Sequence, residues 1–242
     1  MTDARPSLEA LRVRIFADGA DSAAIASLAA RPYVAGFTTN PTLMRKAGVS
    51  DYRSFAKDVL GVVGERPVSF EVIADEFTEM ERQAREIGSW GRNVYVKIPV
   101  TNTRGEPALD LIRKLSADGF QLNVTALMTL DQVRDVSAAL GEGTPCCLSL
   151  FAGRLADTGR DPMPVVARAV ELMARRPNQQ LVWASPREVL NVFHADAVGC
   201  HIITMTRDLL EKLPLVGTDP GEFSLETVRM FHRDALQAGY DL

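Results

Sequence analysis

The sequence predicts an α/β protein, a single (β/α)8 TIM barrel with an additional C-terminal helix. Three observations lead there. Eight short apolar runs alternate along the chain with eight stretches of helical periodicity, the pattern of repeated βα units around a parallel sheet. Several runs are apolar at consecutive positions, as in Val-Tyr-Val-Lys-Ile-Pro at 94–99 and Cys-Cys-Leu-Ser-Leu-Phe at 146–151, so both faces of those strands are covered, which disfavours an antiparallel sandwich. The length of 242 residues is close to the roughly 250 of one such barrel.

The strands are expected at residues 13–17, 34–38, 68–72, 94–98, 121–124, 146–150, 180–184 and 201–204. Helices are expected at 22–30, 52–63, 76–89, 107–117, 130–140, 163–175, 186–195 and 208–212. An open doubly wound sheet gives the same alternation, but no Gly-x-Gly-x-x-Gly follows the first strand, so a dinucleotide site has no support and the closed barrel is preferred. Residues 213–242 form a tail, a Pro/Gly-rich connection followed by a helix at 225–238. The apolar side of that helix, with Val228, Phe231 and Leu236, needs burial over the barrel or against a neighbouring subunit, so a homo-oligomer is expected. Without a linker or low-complexity segment, residues 1–242 read as one domain with 213–242 as its helical extension.

Composition narrows the partners. Hydrophobic residues make up 46% and charged residues 24% of the chain, enough to build a sizeable core. The net charge of −4 comes from interspersed acids and bases without a basic stripe, so nucleic acid is not expected. No apolar run approaches the roughly 18 residues of a membrane span, and the opening MTDARPSLEALRVR lacks the apolar centre of a secretion signal; a cytoplasmic protein is expected. Cys146 and Cys147 are adjacent on one expected strand and Cys200 is expected on another, a layout unlike a disulfide framework, so all three read as small core residues. His194, His201 and His232 show no ligand spacing, and neither a metal nor another cofactor is implied.

In β/α barrels the chemistry gathers at the C-terminal strand ends, whose loops line one shared mouth. Read in order, those positions hold Asp18, Thr38-Thr39-Asn40, Glu71, Lys97, Asn123 with Thr125, Ser149, and Ser185 with Arg187, so seven of the eight strands end in polar groups. Each has a structural explanation alone. Asp18 can cap the following helix, Asn40-Pro41 can be turn chemistry, Glu71 can pair with an arginine, and Asn123, Thr125 and Ser149 can satisfy backbone groups. Seven such coincidences around one rim favour a site instead. Lys97 is the most informative residue, because an amine inside an apolar run is disfavoured in its charged form, and a neutral amine can attack a ketone carbonyl. Its structural alternative is a lysine that snorkels to solvent. Arg154, after strand six, and Arg187, at the start of the helix after strand seven, suit a phosphate held by guanidinium forks and that helix's N–H groups, a surface salt bridge being the alternative for each.

Five segments carry a family resemblance: Gly36-Phe37-Thr38-Thr39-Asn40-Pro41, Val96-Lys97-Ile98-Pro99, Leu122-Asn123-Val124-Thr125, Ser149-Leu150-Phe151-Ala152-Gly153-Arg154 and Ala184-Ser185-Pro186-Arg187. In order and spacing they are similar to the transaldolase family, a group that includes fructose-6-phosphate aldolases, over roughly residues 13–212. The resemblance implies a lysine Schiff base on Lys97 and an acid/base role in carbon–carbon cleavage for Asp18. It implies that Glu71 acts through a water in imine formation. Thr38, Asn40, Asn123, Thr125 and Ser149 are implied around substrate hydroxyls or the catalytic water, and Phe151, Arg154, Ser185 and Arg187 around the substrate and its phosphate. It implies transfer of a dihydroxyacetone unit from a ketose phosphate to an aldose phosphate. Glu71 and Phe151 match transaldolases, whereas the aldolases resemble each other in having glutamine and tyrosine there. Gly19, Leu150 and Pro186 depart from the family pattern, which leaves a specialised transaldolase with an unusual acceptor as one alternative. An aldolase releasing free dihydroxyacetone is another, and a silent sugar-phosphate-binding barrel is the non-enzymatic one.

Overall fold

In the computed structural model, which describes residues 6–240, eight parallel strands close into a barrel in sequence order. Residues 1–5, part of the stretch read above for a secretion signal, and residues 241–242 of the tail lie outside the described residues. The chain runs β1 (Arg14–Asp18), α1 (Ser22–Ala29), β2 (Val34–Thr38), α2 (Pro41–Lys46), α3 (Tyr52–Val63), β3 (Val68–Glu71), α4 (Phe77–Gly88), β4 (Val94–Pro99), α5 (Leu109–Ala117) and β5 (Leu122–Leu127). It continues with α6 (Leu130–Ala139), β6 (Cys146–Leu150), α7 (Ala152–Asp157), α8 (Met163–Met173), β7 (Gln179–Trp183), α9 (Leu190–Ala197), β8 (Ile202–Thr206), α10 (Arg207–Leu210) and α11 (Pro220–Ala238). Pairing of β1 with β8 closes the ring. The (β/α)8 barrel and the extra C-terminal helix are as the alternation predicted.

Alternate strand residues face the helices and the barrel axis. The outward set, including Phe37, Phe70, Val96, Ile98, Leu122, Val124, Leu148, Leu181 and Ile203, merges with the helix undersides into the main core. The axial set forms layers. Phe16, Cys147, Val182 and Ile202 make a separate apolar plug, with Tyr95 packed against it. Gly36 is required beside that plug, because a Cβ there would stand 2.5 Å from the Phe16 ring. Above the plug, the axial positions are polar, and this polar layer is the floor of the mouth. Cys146, Cys147 and Cys200 are free and buried, the core role their layout predicted.

Local chemistry sets the helix starts. Asp21, Asn40, Asp51 and Thr129 each accept an N–H of the first turn of their helices, and Thr129 forms a capping box with Gln132. The structure corrects several expected boundaries. The short helices α2 and α7 were not expected, since neither is long enough to show a period. α9 starts at Leu190 rather than 186, because the Asn191 side chain accepts the backbone N–H groups of Arg187 (2.8 Å) and Glu188 (3.3 Å) and holds 186–189 as a turn. α11 starts at Pro220 rather than 225, with Asp219 capping Gly221 and Glu222. This helix does not pack over the barrel: among the described residues it contributes no buried side chain, and Phe223, Leu225, Val228, Phe231 and Leu236 are exposed. No helix of the described residues is long and apolar enough to cross a membrane.

Candidate active site

A cavity of about 530 Å³ opens at the C-terminal ends of the strands. It is lined by Asp18, Thr38, Asn40, Glu71, Lys97, Thr125, Ser149, Phe151, Arg154, Ser185 and Arg187, eleven of the twelve residues to which the family resemblance gives a catalytic or substrate-binding role. The twelfth, Asn123, is the register partner of Lys97 on the neighbouring strand but is not among the lining residues. Its Nδ2 donates to Ser69 Oγ (3.0 Å) and its Oδ1 accepts from Ser149 Oγ (2.7 Å), so both ends of the buried amide are taken by serines. Through this bond Asn123 orients Ser149, which does line the cavity.

Lys97 and Glu71 stand opposite each other across β4 and β3. The Lys97 Nζ lies 3.0 Å from Glu71 Oε2, with side-chain exposures of 7% and 16%, and donates to the Thr39 carbonyl at 2.7 Å. The snorkelling alternative fails, because the amine is turned into the barrel rather than to solvent. Glu71 pairs with this amine and not with an arginine of the next helix.

Asp18, half-buried at the end of β1, faces the same space. Thr38 Oγ1 donates to its Oδ1 (2.8 Å), and Asn40 Nδ2 lies 3.5 Å from its Oδ2. Asn40 presents its NH2 end because its Oδ1 is committed to capping α2, accepting from Leu43 N at 3.0 Å. Turn chemistry and site chemistry are thus met by one residue. Asp18 does not cap the following helix; Asp21 does. Burial raises the Asp18 carboxyl above its ordinary value, and the charge of Lys97 and the hydrogen bonds from Thr38 and Asn40 pull the other way. Thr204, which the sequence reading did not single out, also lines the cavity, with its Oγ1 2.5 Å from that of Thr38. Each hydroxyl has one proton, so with Thr38 donating to Asp18, Thr204 donates to Thr38. Its position on an axial rung of β8, two residues after the buried Ile202, was the available signal.

Two cavity residues hold left-handed backbone without being glycine: Ala126 (φ 64°) and Ser185 (φ 62°). Ala126 sits where the register of β5 against β6 shifts. Beside it, Thr125 Oγ1 is buried and has no hydrogen-bond partner among the described residues. Strain and an unsatisfied hydroxyl at one rim are costs that a bound molecule can offset.

The opposite wall is basic. Arg154 of α7 lies over the Phe151 ring, 5.5 Å from its centroid. Arg187 donates through Nη1 to Ser185 Oγ (3.2 Å) and through Nε to Asp157 Oδ1 (2.8 Å). The structure corrects one expectation here, since Arg187 lies in the turn ahead of α9 and not in its first turn. Asp157 pairs with Arg187 through both carboxylate oxygens, which fixes the guanidinium beside Ser185. Lys46 of α2 lines the same cavity and was also not singled out.

A family model described as "Transaldolase/Fructose-6-phosphate aldolase" matches residues 15–241. A relative named "Probable transaldolase" in Dehalococcoides mccartyi is 36% identical over 203 residues, 83% of this chain and 90% of that protein. Another of the same name in Thermoanaerobacter sp. is 31% identical over 231 residues, 94% of this chain and 99% of that protein. Among solved structures, that of 2,3-dimethylmalate lyase, a PEP mutase/isocitrate lyase superfamily member, superposes with a TM-score of 0.53 at 14% identity, covering 96% of this chain and 86% of that one. At that identity the likeness is one of fold alone. With the family model spanning nearly the whole barrel and the relatives aligned along most of their length, the chain belongs to the transaldolase/fructose-6-phosphate aldolase family.

Proposed function

We propose that the protein is a transaldolase that moves a dihydroxyacetone unit from a ketose phosphate, fructose 6-phosphate or sedoheptulose 7-phosphate, to an aldose phosphate. The observation that carries this reading is the buried amine of Lys97, 3.0 Å from the Glu71 carboxylate, in a cavity it shares with Asp18.

The steps follow from that arrangement. Lys97 passes its proton to Glu71 and adds to C2 of the ketose, giving a carbinolamine. Glu71, through a water, returns a proton to the former carbonyl oxygen, which leaves as water, and a protonated imine remains. Asp18 then takes the proton of the C4 hydroxyl, the C3–C4 bond breaks, and its electron pair moves into the imine. An aldose phosphate departs and an enamine of dihydroxyacetone stays on Lys97. The enamine attacks the carbonyl carbon of the acceptor aldehyde, Asp18 gives the proton back, and hydrolysis of the new imine frees the product ketose. The unpartnered hydroxyl of Thr125 suits the water of these steps, beside Asn40 and Ser149. Arg154, Ser185 and Arg187 suit the phosphate, as a planar guanidinium can give it two parallel hydrogen bonds.

Glu71 and Phe151, the transaldolase-like choices at their positions, favour transfer over release of free dihydroxyacetone. The departures at Gly19, Leu150 and Pro186 stand next in sequence to the cavity residues Asp18, Ser149 and Ser185, and a specialised transaldolase with an unusual acceptor is the alternative they support. The exposed apolar face of α11 fits a homo-oligomer. Borohydride with fructose 6-phosphate tests the chemistry: Lys97 is expected to gain a reduced ketose or dihydroxyacetone adduct, and Lys97→Met to lose both adduct and turnover. An unmodified Lys97, or normal turnover by Lys97→Met, would sink the Schiff-base reading and leave a silent sugar-phosphate-binding barrel. Product analysis with and without an acceptor aldose phosphate separates transfer from aldolase release.

A further inference from the structure

One seam of the barrel departs from a regular ladder at the site itself. Parallel strands are joined by evenly spaced bonds. Between β2 and β3 these run from Phe37 N–H to the Pro67 carbonyl (2.8 Å) and from Thr39 N–H to the Ser69 carbonyl (3.1 Å). The next bond of such a series joins the Glu71 N–H to the Thr39 carbonyl. Here that bond is replaced. Strand pairing stops at Thr38 and Ser69, and the Thr39 carbonyl accepts from Lys97 Nζ. The Glu71 backbone turns instead to a side chain from outside the barrel: the Tyr52 hydroxyl accepts the Glu71 N–H at 2.8 Å and donates to the Glu71 carbonyl at 2.9 Å.

Resting on the Schiff-base reading above, we propose that Tyr52 is a positioning residue for the Lys97–Glu71 pair. Its hydroxyl takes the place of the Thr39 carbonyl on the Glu71 backbone, and so releases that carbonyl to hold the Lys97 amine. One side chain thereby sets both the acid and the amine. Tyr52 is the first residue of α3, and its ring packs edge-on against Trp90 (centroids 5.5 Å apart, 80°) and Phe70 (6.2 Å, 71°). Burial pushes its phenol well above the usual range, so the hydroxyl keeps the proton it donates to the Glu71 carbonyl.

Without that hydroxyl the Glu71 N–H is left unpaired, and its ladder partner, the Thr39 carbonyl, is the acceptor at hand. Swinging to it, the carbonyl leaves Lys97 and the two reacting groups move apart. Misplacement of reacting groups by about 1 Å costs on the order of 10²-fold in rate. The effect belongs to imine formation and not to substrate affinity.

The test is the rate at which borohydride traps fructose 6-phosphate on Lys97, followed by mass in the wild type, Tyr52→Phe and Trp90→Leu. Tyr52→Phe keeps the ring and its stacking. It is expected to trap at least about tenfold more slowly with little change in KM, since KM and rate part company when ground-state binding is intact. Trp90→Leu loosens the same aromatic layer without touching the hydroxyl, and is expected to lower the melting temperature while trapping near the wild-type rate. Trapping by Tyr52→Phe at the wild-type rate overturns the proposal, as does an equal loss in Trp90→Leu, which makes the role merely structural. If Tyr52→Phe does not fold, amide hydrogen exchange in the wild type decides: Glu71 is expected to be protected like its ladder neighbours Phe70 and Val72, and fast exchange at Glu71 overturns the proposal. Absence of any wild-type adduct is a distinct result that removes the Schiff-base reading, and this inference with it.

Discussion

Glu71 and Lys97 occupy one rung of the barrel, Cα facing Cα across β3 and β4, with the carboxylate 3.0 Å from the amine. The pairing starts from the register of β3 against β4 and not from a loop conformation. Glu71→Gln keeps the size and a hydrogen bond to Nζ but cannot shuttle a proton. Proton transfer by a placed side chain is worth about 10²–10⁴-fold, so kcat of Glu71→Gln is expected to fall by that order with imine trapping slowed alongside it. Wild-type turnover in this variant would remove Glu71 from the mechanism.

Asp18 links function to stability. Because burial raises its carboxyl above the unfolded value of 3.8, the native state binds a proton at pH values where the unfolded chain has released it. Stability therefore declines as pH rises from 3.8 through the folded value, and above it the full cost of the buried charge is present. Asp18→Asn removes that charge. It is expected to abolish carbon–carbon cleavage yet melt at a higher temperature than the wild type at neutral pH, the gap closing in acid. Melting curves across pH check this, and a variant less stable at neutral pH contradicts it.

Thr38 opposes the burial of Asp18 by donating to the carboxylate at 2.8 Å, an effect that lowers the carboxyl's proton affinity. Thr38→Val deletes the donor and keeps the shape. The Asp18 carboxyl is then expected to move further up, and because the ionised form takes the C4 proton, the acidic limb of kcat/KM moves to higher pH. An unshifted limb with otherwise normal kinetics would mean that Asp18 is not the base.

The barrel was legible because period and punctuation agree around the ring, and most of the rim was legible because strand ends are where side chains such as Asp18, Lys97 and Ser149 must converge. What escaped has physical causes. Asn123 shares the axial face of β5 with Thr125, so alternation put both in the cavity; depth along the strand, which separates them, depends on register with β6. Tyr52 and Thr204 act on Glu71 and, through Thr38, on Asp18 across elements far apart in sequence, and no local pattern marks such contacts. The start of α9 was misplaced because Asn191 holds the turn ahead of it from within the helix.

The basic wall depends on a close approach that only glycine allows. A Cβ on Gly153 would stand 1.5 Å from the Ser185 carbonyl oxygen and 2.6 Å from its carbon, backbone atoms that cannot swing aside. The Gly153 N–H donates to the neighbouring Ala184 carbonyl at 3.3 Å, so α7 and the 184–186 turn are tied where they touch. Gly153→Ala forces them apart, and overpacking of this kind typically costs about 1–3 kcal/mol, which a lowered melting temperature would register. The same displacement separates Arg154 on α7 from Ser185 and Arg187 beyond the turn. If these three hold the phosphate, KM for fructose 6-phosphate is expected to rise about tenfold or more, since several charge-assisted hydrogen bonds of roughly 1.5–3 kcal/mol each are disturbed. Unphosphorylated fructose, which makes no use of that wall, is the control, and its kcat/KM should change far less. An equal loss for both sugars would show that the substitution damages the Lys97 region instead, and would take the phosphate away from this wall.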